Sequence, residues 1–138
     1  MKLLPALLAA LVLTATVADD DKSNPKPAKA AGAYVHVVIF TIKKDAPKDA
    51  VENAIADCHK LLEGIPSVRT LRAGRPAEKG TPDLAKKDYD FALVIFVDDF
   101  AGLKAYLEHA DHLKFVEKHG KHFNMEKLSI FDFVDAKK

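Results

Sequence analysis

The stretch AYVHVVIFTIK, residues 33–43, is dense in β-branched and aromatic residues and apolar at both parities. Alternation sends His36, Val38, Phe40 and Ile42 one way and Val35, Val37, Ile39 and Thr41 the other. A strand apolar on both faces is covered on both faces. DFALVIFV, residues 90–97, repeats the pattern, with Phe91, Leu93, Ile95 and Val97 opposing Ala92, Val94 and Phe96. These two segments are predicted to be the central strands of one sheet.

Outward from them, the periodicity predicts a helix from about Pro47 to Glu63, with Val51, Ile55, Cys58, Leu62 and Ile65 on one stripe. Asp45 is a candidate cap, Pro47 suits the first turn, and Gly64 and Pro66 end the helix. VRTLRAG, residues 68–74, reads as a polar edge strand, and RPAEKGTPDLAKKD, residues 75–88, as a surface loop. After the second central strand, Asp98 or Asp99 can cap a helix carrying Phe100, Leu103 and Leu107. LSIFDFV, residues 128–134, is a last strand.

The order β-α-β-β-α-β with right-handed crossovers predicts an α+β, ferredoxin-like fold: a four-stranded antiparallel sheet with helices on one face. Helices then cover only one side of strands that are greasy on both. A second copy packed sheet to sheet into an α/β barrel is the simplest cover, so a homodimer is expected.

The chain opens MKLLPALLAALVLTATVADDDK: one lysine, an apolar run from Leu3 to Leu13, then small residues at Thr16 and Ala18. That is the layout of a secretory signal peptide over residues 1–18, and the apolar run is short for a bilayer span. An exported protein, periplasmic or secreted, is expected, with no membrane attachment after cleavage. Residues 19–33, DDDKSNPKPAKAAGA, hold too little apolar surface to fold and read as a flexible linker. Residues 34–138 make one domain.

The 21 basic and 20 acidic residues become equal once Lys2 is removed. Neutrality, with no basic stripe bearing exposed aromatics, argues against nucleic acid as a partner. Cys58, the single cysteine, forms no internal disulfide and is expected in the core. No phosphate loop, serine elbow, EF-hand loop or cysteine-based zinc pattern is present, and no cofactor is expected.

HADHLKF, residues 109–115, decides where the histidines go. In an unbroken helix from Asp99 to Lys118, Leu103, Leu107 and Ala110 share a side and His112 points away from it. With a break near His109 to Asp111 and Asp111 as the new N-cap, His112, Phe115, Val116 and His119 fall on one face. The second arrangement buries Phe115 and Val116, and it is the one expected.

YVHVVIF, YDFALVIFVDD, LKAYLEHADHLKF and the terminal IFDF together resemble the stress-responsive α/β-barrel family, Dabb, from Tyr34 to Val134. The resemblance rests most on Tyr106, then His109, His112 and Phe115, coupled to His36 on the first strand. It implies the fold derived above, dimerising through its sheets, with a modest cavity between sheet and helices. In the plant polyketide cyclases of this family the matching pocket uses a tyrosine and a histidine for proton transfer. Those roles would fall on Tyr106 and His112, with His36 lining the same pocket. A further pocket histidine of those cyclases is Phe91 here, and a proline often found between the motif histidines is Ala110, so their substrate does not carry over.

His36, Phe40, Phe91 and Phe115 are the expected ligand contacts, for a small apolar molecule between sheet and helices. Tyr106 and His112 are the candidate catalytic pair of a cofactor-free cyclase or isomerase. A histidine in an apolar cavity stays neutral and can accept a proton, while a tyrosine hydroxyl orients it or polarises a carbonyl. The competing reading is structural: the two side chains bond at a helix break, and the protein is an interaction module with a filled core. His109, His112, His119 and His122 form two HxxH pairs, but no carboxylate or cysteine completes a metal spacing, and a surface histidine cluster is expected instead of a metal site. All three arginines, Arg69, Arg72 and Arg75, lie on the polar edge strand and its exit. They serve either to protect that edge or to gather an anion.

Overall fold

The structure is a computed structural model and describes residues 34–136. The signal-peptide and linker expectations, on residues 1–33, lie outside the described residues. The elements are β1 (Tyr34–Phe40), α1 (Ala50–Asp57) continued by a π-helical turn (Cys58–Leu62), β2 (Thr70–Gly74), β3 (Phe91–Val97), α2 (Phe100–Glu108), α3 (Ala110–His119) and β4 (Ser129–Val134). The strands form one sheet in the order β2-β3-β1-β4, every neighbouring pair antiparallel. This is the ferredoxin-like α+β fold, with β1 and β3 central as their two-sided apolarity requires.

On the helix-facing side, Val38, Phe40, Leu71, Leu93 and Ile95 meet Ala54, Cys58 and Leu62 from α1 and its extension, Leu103 and Tyr106 from α2, and Phe115 from α3. Each leucine or isoleucine fully removed from water here contributes about 2 kcal/mol. Gly102 lets the first turn of α2 close onto β3, because a Cβ there would meet Val97 Cβ at 3.3 Å. Asp99 caps that helix, its Oδ1 accepting from Gly102 N–H at 2.8 Å. Cys58 is in the core, and burial followed by the nearby Asp57 charge pushes its thiol up to about 12.

The opposite face carries Val37, Ile39, Val94, Phe96, Phe131 and Phe133 and receives no helix from the described residues. Phe131 is 58% and Phe133 53% exposed. Their register partners on β1 are Val37 and Val35, so the exposed rings continue an apolar surface across the sheet.

Several local expectations are corrected. The first helix starts at Ala50, and Asp49 instead of Asp45 stands at its N-cap, with Pro47 O accepting from Ala50 N–H in the preceding turn. The second strand is shorter than expected: its ladder with β3 begins at Thr70, and Val68 is buried ahead of it. The α2–α3 break is present, but His109 and not Asp111 caps α3. His109 adopts φ −67° and ψ 141°, and its Nδ1 accepts from Asp111 N–H at 3.2 Å. Val116, expected in the core, is 46% exposed. His119, expected in a surface cluster, is buried, and its Nε2 donates to Asp57 Oδ2 at 2.8 Å.

Candidate functional site

The break at His109 builds the site. The last carbonyls of a helix have no intrahelical partner, and Leu107 O at the end of α2 is one of them. His112, in the first turn of α3, donates Nδ1–H to that oxygen at 2.9 Å. The bond fixes the ring and leaves Nε2 as the lone-pair nitrogen of neutral His112. The same kink brings the His112 ring to 4.7 Å from the Tyr106 ring, centroid to centroid, at an interplanar angle of 58°. The Tyr106 ring lies 6.2 Å from that of His36 on β1.

These three side chains line a cavity of about 350 Å³ between the sheet and the α2–α3 pair. Val38, Phe40, Leu93, Leu103 and Phe115 form its inner wall, and Leu107, Val116, Met125 and Ile130, all partly or largely exposed, its mouth. The volume is in the range of small-molecule sites, and the lining is apolar with a few convergent polar groups.

His36, Phe40, Tyr106, His112 and Phe115 are therefore together. Phe91 is not with them. It is fully buried behind Phe40, the two rings stacked at 4.3 Å and 5°, with Phe123 closing the stack. Phe91, expected among the ligand contacts, does not line this cavity: β3 turns it into the same helix-side layer, where it packs against Phe40.

Asp132 on β4 lines the cavity too, and sequence reasoning missed it. It pairs in register with His36, whose Nδ1 donates to Asp132 Oδ1 at 2.6 Å. The signal was present: alternation in SIFDFV sets Asp132 beside Ile130 and Val134, an acid among apolar residues on the helix-facing side.

Burial lowers the His112 imidazole below its ordinary value, and the charge of His36 lowers it further, against the opposing pull of the Leu107 carbonyl. It is neutral at pH 7. Burial pushes the Tyr106 phenol up, with the Cys58 charge adding to it, so Tyr106 is a donor and not a base. The cavity thus offers a neutral acceptor at His112, a hydroxyl donor at Tyr106 and a carboxylate-oriented imidazole at His36. Together they can hold, and move a proton to or from, one oxygen-bearing end of an apolar molecule.

Elsewhere, Arg69 pairs with Asp98 and Arg75 with Glu52, while Arg72 Nη1 donates to Leu71 O. These contacts bind the edge strand to its neighbours and do not converge. Among the described residues, no three of histidine, cysteine, aspartate and glutamate group as metal ligands.

The fold matches that of a dimeric ferredoxin-like protein of unknown function from Thermobifida fusca at 26% identity, covering 73% of this chain and 89% of that one, with a TM-score of 0.61. A Dabb family protein from Mesorhizobium loti matches at 26% identity over 75% and 97% of the two chains, TM-score 0.59. A hydroxynitrile lyase from Passiflora edulis shares the fold at 15% identity over 76% and 94%, TM-score 0.59. Among curated proteins, none matches this chain. The stress-responsive A/B barrel domain model matches residues 35–135, and the chain belongs to that family, Dabb.

Proposed function

We propose that this protein binds a small, largely apolar molecule bearing one polar end in the cavity between its sheet and the α2–α3 pair. The observation that carries the reading is the convergence of His36, Tyr106 and His112 in a cavity of about 350 Å³ with otherwise apolar walls. A packed core would leave no such volume, and a purely structural helix break would not need three polar side chains facing it. The test is fluorescence titration with 1-anilinonaphthalene, a neutral apolar probe. Saturable binding at one site per chain, abolished by Val38→Phe with the fold retained by circular dichroism, is expected. Undiminished binding by that variant would overturn the reading.

Cofactor-free acid–base catalysis is the second reading, favoured by one observation: the Leu107 carbonyl holds His112 Nδ1–H, so the neutral ring presents its other nitrogen as a base. Tyr106 would donate to the carbonyl or hydroxyl at which charge develops. The Passiflora lyase supports the idea that this fold can carry chemistry, while at 15% identity its substrate does not transfer.

The working form is a homodimer joined through the open sheet face. Exposed Phe131 and Phe133 and the dimeric description of the Thermobifida neighbour support it. The chain is exported, with residues 1–18 removed. Mass measurement of the mature protein from its own cells checks this, and retention of Met1 to Ala18 would sink it.

A further inference from the structure

The open sheet face ends in a second cavity, of about 540 Å³, separate from the first and on the other side of the sheet. Its apolar floor is Ile39 from the end of β1 and Phe131 from β4. Thr41 and Ser129 stand at the strand ends, and the loop before β3 contributes Lys86, Asp88 and Tyr89. Lys127, from the turn before β4, completes the rim. No carboxylate among the described residues lies within salt-bridge distance of the Lys86 or Lys127 ammonium. This separates them from Arg69 and Arg75, whose charges are answered.

Two cations and one carboxylate, Asp88, leave the rim one positive charge in excess. Three hydroxyls, on Thr41, Tyr89 and Ser129, add donors beside them. The floor is a sheet surface, and Ile39 and Phe131 give it an apolar patch. An apolar body with a single negative charge satisfies both parts: the body covers the patch, and the charge sits among the ammonium groups and hydroxyls. A dianion such as phosphate would overfill the charge and leave the patch wet.

We infer that this cavity binds a small organic monoanion, a carboxylate on an aromatic or short aliphatic body, with Lys86 and Lys127 holding the carboxylate and Ile39 and Phe131 receiving the body. Ile39 lies near the end of β1, and the site requires this end of the open face to stand outside the sheet-to-sheet contact of the dimer proposed above. The inference does not depend on the ligand of the first cavity.

Isothermal titration of the full-length mature protein with benzoate tests it, alongside benzamide and inorganic phosphate. Saturable benzoate binding is expected, weakened at least tenfold by Lys86→Gln with Lys127→Gln, and unaffected by Val38→Phe in the other cavity. Benzamide and phosphate are expected to bind at least tenfold more weakly. Equal affinity for benzamide, or no loss in the lysine variant, would overturn the site. Light scattering on the same variant guards against confusion with assembly: if the lysine changes dissociate the dimer, the ammonium groups serve the partner copy and the ligand assignment fails.

Discussion

His36 and Asp132 face each other across the β1–β4 pairing, and Nδ1 of the imidazole lies 2.6 Å from Oδ1 of the carboxylate. Because the carboxylate only accepts, the bond keeps a proton on Nδ1 and holds the ring in one orientation. Asp132→Ala removes that constraint. We expect a stability loss of about 1 kcal/mol, below the usual range for a hydrogen bond to a charged group because Asp132 is partly exposed. We also expect His36 to change tautomer in nitrogen-15 NMR spectra. An unchanged tautomer would show that the pair does not orient the ring.

The His112 position predicts a pH effect with a definite sign. Its folded pKa is lowered, chiefly by burial, so the unfolded chain binds the proton more readily. Stability from keeping this ring neutral is fully present above the unfolded value, near 6.5, and falls as pH drops below it toward the folded value. Urea unfolding from pH 7.5 to 5 should therefore fall more steeply for the wild type than for His112→Gln. Parallel curves would contradict the half-buried placement of this ring.

Asp57 joins α1 to α3 by accepting from Lys118 Nζ at 2.6 Å and from His119 Nε2 at 2.8 Å. Burial raises its carboxyl, but the two bonds and charges outweigh burial and hold it below the usual carboxylate range. Its stabilisation is present above the unfolded value, near 3.9, and is lost as pH falls through the lower folded value. Asp57→Ala strands a buried imidazole, and a loss of about 3 kcal/mol is expected. Asp57→Leu combined with His119→Phe should recover part of it, as chemical denaturation will report.

Phe91 and Phe115 separate core from cavity. Truncating Phe91 to alanine should cost about 4 kcal/mol, and the milder Phe91→Leu should lower stability while leaving affinity for 1-anilinonaphthalene unchanged. Phe115→Leu, in the cavity wall, should weaken the probe. If Phe91→Leu weakens binding as much as Phe115→Leu does, the separation fails.

For the open face, Val94→Glu with Phe133→Glu places carboxylates where a second sheet would press. Light scattering should give a monomer mass for the variant and a dimer mass for the wild type. A wild type that is monomeric at micromolar concentration would sink the dimer.

The fold was legible because its determinants are local and repetitive. Two-sided apolarity at Val35–Phe40 and Phe91–Val97 requires central strands, and Gly64, Pro66 and Asp99 mark where helices stop and start. The α2–α3 break was legible for a related reason, since only a break brings Phe115 to the sheet side with His112. Its cap was not, because His109 is a weak capping type by propensity and serves here through one ring nitrogen placed by the tertiary turn.

What the sequence by itself determined is the order of elements, the central strands and the presence of Tyr106 and His112 near one another. Only the tertiary structure decided who completes the site: Asp132 meets His36 across 96 residues of chain, Phe91 is shut behind Phe40, and His119 turns inward to Asp57. Periodicity assigns a residue to a face. Which neighbour it meets on that face depends on strand register and helix docking, and these are set by the packing of the whole domain.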